Sequence, residues 1–185
     1  TPYQARYSTT AMGLGMTLER SLRRDGDRFT LRNEGSVLIA SLKEVAHFSL
    51  VDGQIRGDTF SYKLGGLVRR KRAVEFLPEQ NLIRSLRKDR WTEHTWQANI
   101  LDRLSQQEQL RLDLMTASTA PSTLRFHVID GPRVRERVLE LVGKETLETA
   151  LGALETVHYR QLHDDPDERS SDIWLAPSLD FTMVR

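Results

Sequence analysis

Five histidines, His47, His94, His127, His158 and His163, are the side chains best suited by type to hold a metal or move a proton. None belongs to an H-E-x-x-H pair or to another compact ligand set, so no metal site and no cofactor is expected. His47, His127 and His158 fall in strand-like stretches, where a lone imidazole packs or hydrogen-bonds across a sheet. His163 stands beside Asp164, Asp165, Asp167 and Glu168 and is the best metal candidate by composition. Its spacing lacks the central glycine and terminal bidentate glutamate of a calcium loop, and the segment reads as a solvated acidic loop. Nucleophilic hydrolysis needs a serine on a sharp strand-to-helix elbow, and there is no G-x-S-x-G. Gly13-Leu14-Gly15 matches half of a dinucleotide fingerprint without its third glycine or following helix, and reads as a turn. No catalytic residue is assigned.

Two further sets could recognise a ligand. Arg69, Arg70, Lys71 and Arg72 form the densest basic run, with Arg84, Arg87, Lys88 and Arg90 following. On a strand, Arg69 and Lys71 face opposite to Arg70 and Arg72, which divides the patch between two faces. A charged outer face or a protected sheet edge is the simpler reading, and no nucleic-acid partner is expected. Trp91 and Trp96 flank Thr92 to Thr95 ahead of a helical segment, where they either line a ligand groove or anchor the helix on a sheet, the second being favoured.

The elements that must position these residues are mostly strands. Asp25-Gly26, Asp52-Gly53 and Asp130-Gly131 each separate two stretches of mixed apolar and polar residues, a strong hairpin signal. Tyr3, Ala5 and Tyr7 alternate with polar residues; Ala11 to Gly15 bends; residues 16 to 33 read as a hairpin. Val37 to Ala40 and Val45 to Val51 continue the meander, Gly65-Gly66 leads into Leu67 to Phe76, and Leu82 to Leu86 is a short strand. The spacing of Leu101, Leu104, Leu110, Leu112, Leu114 and Met115 predicts one helix between about Ala98 and Ala117. Asn99 serves as its N-cap with Asp102 as a first-turn acid, Ser105 being a competing later start. Strands resume at Leu124, turn at Asp130-Gly131-Pro132 and again at Gly143-Lys144, pair over Glu145 to Leu162, and end in a region interrupted by Pro177. The predicted architecture is a mainly β single domain over residues 1–185: one curved antiparallel sheet of ten or more strands, an open half-barrel, with one main helix against it.

Composition bounds the function. A chain of 185 residues with 38% apolar and 29% charged residues can bury a sizeable core. No stretch approaches the roughly 20 consecutive apolar residues that span a bilayer as a helix. Lys and Arg number 27 against 26 for Asp and Glu, so a net charge of +1 exerts no global pull on nucleic acid or anionic lipid. With no cysteine, disulfides and thiolate metal sites are excluded. The opening Thr1-Pro2 lacks a charged start and apolar segment, and reads as a mature product or a trimmed one.

Ile173-Trp174-Leu175-Ala176-Pro177, followed by Leu179-Asp180-Phe181 and Val184-Arg185, is the most distinctive run. Asp102-Arg103-Leu104-Ser105, Leu110-Arg111-Leu112-Asp113-Leu114 and Thr156-Val157-His158-Tyr159-Arg160 support it. Over nearly its whole length the chain resembles a bacterial family of exported domains of unknown function. The resemblance implies a periplasmic protein made with a signal peptide, and a fold similar to the curved β half-barrel of the lipoprotein-localisation carriers. It also implies an ending that continues through a further strand, with proline common where Met183 stands. It supplies no catalytic residues. Trp174 and Pro177 have structural explanations: one buries a large surface and the other ends or bends a strand.

The leading expectation is therefore a non-catalytic periplasmic binding protein. Its curved sheet and the Leu110, Leu114 and Met115 face of the helix, with Trp91 and Trp96, would enclose an apolar groove for a lipid acyl chain or another hydrophobic ligand. The alternative is an accessory protein of an envelope or secretion machine that acts through protein contacts. A hydrolase ranks last, because no polar cluster converges in the sequence.

Overall fold

The computed structural model of the protein describes residues 1–11, 14–37, 39–162 and 171–185. The glycine bend at Gly13, residue Leu38 of the expected strand, and the acidic loop with His163 lie outside the described residues. Among the described residues the chain is mainly β, with one α-helix, as the alternation and turn signals predict. The strands divide between two sheets, and the chain between two compact units, residues 1–106 with 128–135 and residues 107–127 with 136–185.

The first unit holds an eight-stranded antiparallel meander. Its strands are β1 (Tyr3–Ala11), β2 (Leu14–Asp25), β3 (Arg28–Val37), β4 (Ala40–Val51), β5 (Gln54–Gly66), β6 (Arg70–Leu77), β7 (Leu82–Arg87) and β8 (Arg90–Thr95), paired in chain order. The turns explain the order. Val51 pairs with Gln54 across Asp52 and Gly53, both with positive φ (52° and 75°), the two-residue turn whose twist matches the flanking strands. The β7–β8 connection uses the same geometry without glycine: Lys88 and Asp89 have φ of 51° and 56°. That absence explains why β8 is not foreseen in the sequence, and Trp91 is a strand residue rather than part of a lead-in to the helix. The chain then forms β9 (Ile100–Leu101).

One face of the first sheet is apolar because register aligns its large side chains in rows. Leu22, Leu31, Ala46, Phe60 and Val74 stand directly opposite one another on β2 to β6, and all are buried. Phe29 and Phe48 stack in the next row, centroids 5.6 Å apart. Gly57, at the β4–β5 register shift, makes room for Phe76, whose ring atoms lie 2.6 Å from where a Cβ would be.

The helix α1 spans Ser105–Thr116. Its cap is Asp102 rather than Asn99: Asp102 Oδ1 accepts the N–H groups of Leu104 at 2.8 Å and Ser105 at 2.9 Å, and the Asp102 carbonyl accepts the N–H of Gln106. Ser105, the competing start, is the residue that the cap holds. Burial pushes the Asp102 carboxyl above its ordinary value of 3.8, against the Ser105 and Leu104 hydrogen bonds that pull it down.

The second sheet has the order β14-β13-β12-β11-β10-β9, where β10 is Thr123–Asp130, β11 Arg133–Thr149, β12 Gly152–Leu162, β13 Ser171–Ala176 and β14 Thr182–Met183. Gly143 is a bulge inside the continuous strand β11, not a turn: the register shifts between Leu141 and Gly143, and the chain reverses after Thr149, which pairs with Gly152. Pro177 opens a 3-10 turn between β13 and β14, as its missing N–H and fixed φ favour.

Candidate functional site

Between the buried rows of the first sheet and its end runs a row of a different kind. Ala5, Arg20, Asn33, Glu44, Tyr62, Arg72, Arg87 and Arg90 stand opposite one another in succession across β1 to β8. Seven of the eight carry polar groups, on the same face as Leu31 and Phe60: Arg20, Asn33, Glu44, Tyr62 and Arg72 lie two residues along their strands from Leu22, Leu31, Ala46, Phe60 and Val74. Arg20, Asn33 and Glu44 are 5%, 5% and 6% exposed. Placing charges so deep costs on the order of several kcal/mol per ion unless partners satisfy them.

The partners form a chain. Arg20 Nε donates to the Tyr3 hydroxyl at 2.8 Å and Arg20 Nη1 to Asn33 Oδ1 at 3.4 Å; Asn33 Nδ2 donates to Glu44 Oε2 at 3.1 Å. Arg103, just before α1, approaches Glu44 Oε1 at 3.4 Å, yet that buried oxygen accepts no hydrogen bond. The Arg103 and Arg72 guanidiniums lie 5.5 and 5.6 Å from the centre of the Tyr62 ring. Arg72 and Arg87 in turn hold the two carboxylate oxygens of Asp130, at 3.1 and 3.2 Å. The tip of the β10–β11 hairpin is thereby fixed, with Thr92 Oγ1 donating to the Gly131 carbonyl. Gly131 is required there by its φ of +61° and by Arg87, whose Cδ lies 2.5 Å from a would-be Cβ.

This belt separates two apolar regions. On one side are the fully buried rows. On the other, Tyr7, Leu18, Gly35, Leu42 and Leu64 form the next row of the same face, and Leu18, Leu42 and Leu64 are only half-buried. Arg70 completes that row on β6, and Lys71 points to the opposite face, so the basic run divides as its strand spacing requires. The opposite face over β1 to β4 bears a hollow of 690 Å³ lined by charged and polar residues, among them Arg6, Glu19, Arg32 and His47. Arg6–Glu19 and Arg32–Glu34 ion pairs already occupy it, and His47 meets Thr30 Oγ1 at the surface.

The residues expected to line a groove fall in both units. Trp91 is 41% exposed on the face opposite Ser85 and Val74, with the Arg84 guanidinium 4.6 Å from the ring centre, and Trp96 is half-buried with its backbone N–H donating to the Asn81 carbonyl. In the second unit, Leu110 and Leu114 are buried and Met115 is 37% exposed, beside Arg111.

The second unit also explains the distinctive motifs. His158 and Trp174 are directly paired on β12 and β13, and their rings stack at 4.3 Å. His158 Nε2 lies 2.6 Å from Asp172 Oδ1 and Nδ1 lies 3.2 Å from Glu145 Oε1, which also accepts the Trp174 indole N–H. The hydrogen bond to His158, and then Arg160, hold the Asp172 carboxyl below its ordinary range. Arg185 lies 4.7 Å from the Trp174 ring centre, and Trp174 exchanges backbone hydrogen bonds with Val184 and Arg185. Tyr159 is fully buried and donates to the Pro121 carbonyl; burial pushes its phenol up to about 12. No group of three or more metal-ligating side chains is assembled among the described residues. These motif residues are thus joined to one another by packing and hydrogen bonds that brace the second unit.

The model of a family described as a protein of unknown function, DUF3108, matches residues 3–185, and no curated protein and no solved structure matches.

Proposed function

The chain belongs to the DUF3108 family of proteins of unknown function, and from its own geometry we propose a non-catalytic binding protein for an amphiphile. The ligand's apolar chain would lie over Leu18, Leu42 and Leu64, and its polar end would meet the belt at Glu44 and Arg103. One observation carries this reading: the buried Glu44 Oε1 accepts no hydrogen bond beside a half-exposed leucine row. Arg103, 3.4 Å away, offsets the charge on that oxygen without a hydrogen bond, and a bound donor would supply the missing one. Apolar residues in the same row would be the more stable choice for a purely structural sheet. The reading places the protein in the bacterial periplasm, on the resemblance carried by the Ile173–Pro177 motif.

Native mass spectrometry and lipid extraction of protein purified from its own host test it. A stoichiometric acyl-containing adduct is expected. Leu64→Glu, at a half-buried position, should remove the adduct and leave the fold intact. Charged residues at Leu110 or Leu114 would not discriminate, because both are buried and their loss would unfold the helix. An apo mass would overturn the amphiphile reading and move the function to protein contacts. The nine-residue edge strand β1, which among the described residues pairs only with β2 in its sheet, is the surface that would then receive a partner strand.

A further inference from the structure

The β3–β4 and β5–β6 connections lie side by side at one end of the first sheet. The Leu67 N–H donates to the Ile39 carbonyl at 3.3 Å, and Gly66 at φ +107° leaves no room for a side chain, since a Cβ would sit 2.0 Å from that same oxygen. The joined tips expose aliphatic side chains to solvent: Leu67 is 77%, Val68 42% and Ile39 38% exposed, and Ile39 and Leu67 line a hollow of 390 Å³.

Cations stand directly behind these tips. Arg69 and Arg70 follow Val68 in the chain, and Lys43, Lys63 and Lys71 are mutually opposite on β4, β5 and β6. Like charges directly opposite one another destabilise a sheet. Lys43 is compensated by Glu34 at 3.0 Å, while Lys63, Arg69, Arg70 and Lys71 form no ion pair among the described residues. Lys43 and Lys63 are three residues from Ala40 and Gly66, the pair that closes the sheet at this end. At about 3.4 Å per residue the lysine row lies about 10 Å behind the tips, which matches the roughly 5–10 Å that interfacial apolar groups enter a membrane.

We propose that this end of the first sheet docks on an anionic lipid bilayer, with Ile39, Leu67 and Val68 entering the headgroup–acyl boundary and the cations meeting lipid phosphates. The tips are aliphatic and cannot stack on bases, which disfavours nucleic acid. Exposed aliphatic side chains with basic residues one step back suit an anionic membrane surface. The inference is independent of the amphiphile reading for the Leu18, Leu42 and Leu64 row.

Flotation with vesicles of equimolar phosphatidylglycerol and phosphatidylcholine tests it, with vesicles of phosphatidylcholine alone as the comparison. The wild-type chain should float with the anionic vesicles, and raising salt from about 0.1 M to about 1 M should release it. Leu67→Glu and the double variant K63E/K71E should each reduce binding about tenfold or more. All three positions are exposed, so circular dichroism should show both variants folded. Failure to float, equal binding to neutral vesicles, or undiminished binding by folded Leu67→Glu would each overturn the proposal.

Discussion

Replacing Asp102 by alanine should be one of the most damaging single changes in the first unit, and replacement by asparagine one of the mildest. The side chain is fully buried and makes three hydrogen bonds, to the N–H groups of Leu104 and Ser105 and to Ser105 Oγ at 2.5 Å. Alanine removes an N-cap worth about 1–2 kcal/mol and strands two buried N–H donors at about 1–3 kcal/mol each. These terms overlap, so the expected loss is about 3–5 kcal/mol, or a Tm lower by about 6–20 °C for a chain of this size. Asparagine keeps the Oδ1 acceptor and can donate to Ser105 Oγ, and it carries no charge into the buried site; its cost should stay within about 1 kcal/mol at neutral pH. The pH dependence has a fixed sign. Because burial raises the Asp102 pKa above 3.8, the folded chain holds this proton more tightly than the unfolded one. Its contribution is most favourable below 3.8 and is lost as pH rises through the folded value, so the wild type should lose stability relative to Asp102→Asn over that rise. Urea unfolding followed by circular dichroism measures all three. An alanine variant within about 1 kcal/mol of wild type, or an asparagine variant as unstable as alanine, would refute the capping argument.

Two further changes probe other levels. Gly57→Ala should cost about 1–3 kcal/mol in thermal unfolding, because the added methyl meets the buried Phe76 ring, which must shift to admit it. Asp172→Asn should flatten the acid limb of the stability profile: the Asp172 pKa is lowered from 3.8, so its contribution is present above that value and disappears as pH falls through the folded one. An acid limb unchanged in the variant would show that His158 and Arg160 do not stabilise the Asp172 carboxylate.

Local chemistry made the meander legible. Asp-Gly pairs announced three hairpins, and alternation along Tyr3 to Tyr7 and Phe60 to Leu64 announced strands. The β8 strand escaped because Lys88 and Asp89 adopt a left-handed turn without the glycine that usually signals it. Gly143 misled for the opposite reason: a glycine inside a long strand made a bulge where a turn was expected. The belt could not be read at all. Its polar members are spread from Arg20 to Arg90, each ordinary in its own segment, and they align only when six successive strand registers are known. The exposed tips at Ile39 and Leu67 were hidden likewise, since the β3–β4 and β5–β6 connections meet only through β4–β5 pairing. For His158 the sequence supported hydrogen bonding across a sheet, and Asp172 on β13 accepts that role; the Trp174 stack follows from β12–β13 register.

The belt also bears on how the sheet is assembled. All eight strands pair in chain order, so every closure is local and the search for each partner is short. Short searches admit slipped pairings, and a slip of one residue would turn Arg20, Asn33 or Glu44 to the wrong side and carry its apolar neighbours into water. Because each polar residue bonds to or faces the next, an error in one hairpin breaks the match on both flanks. A row of charges that lowers the stability of the finished sheet thus acts, during folding, as a proofreading key against misaligned hairpins.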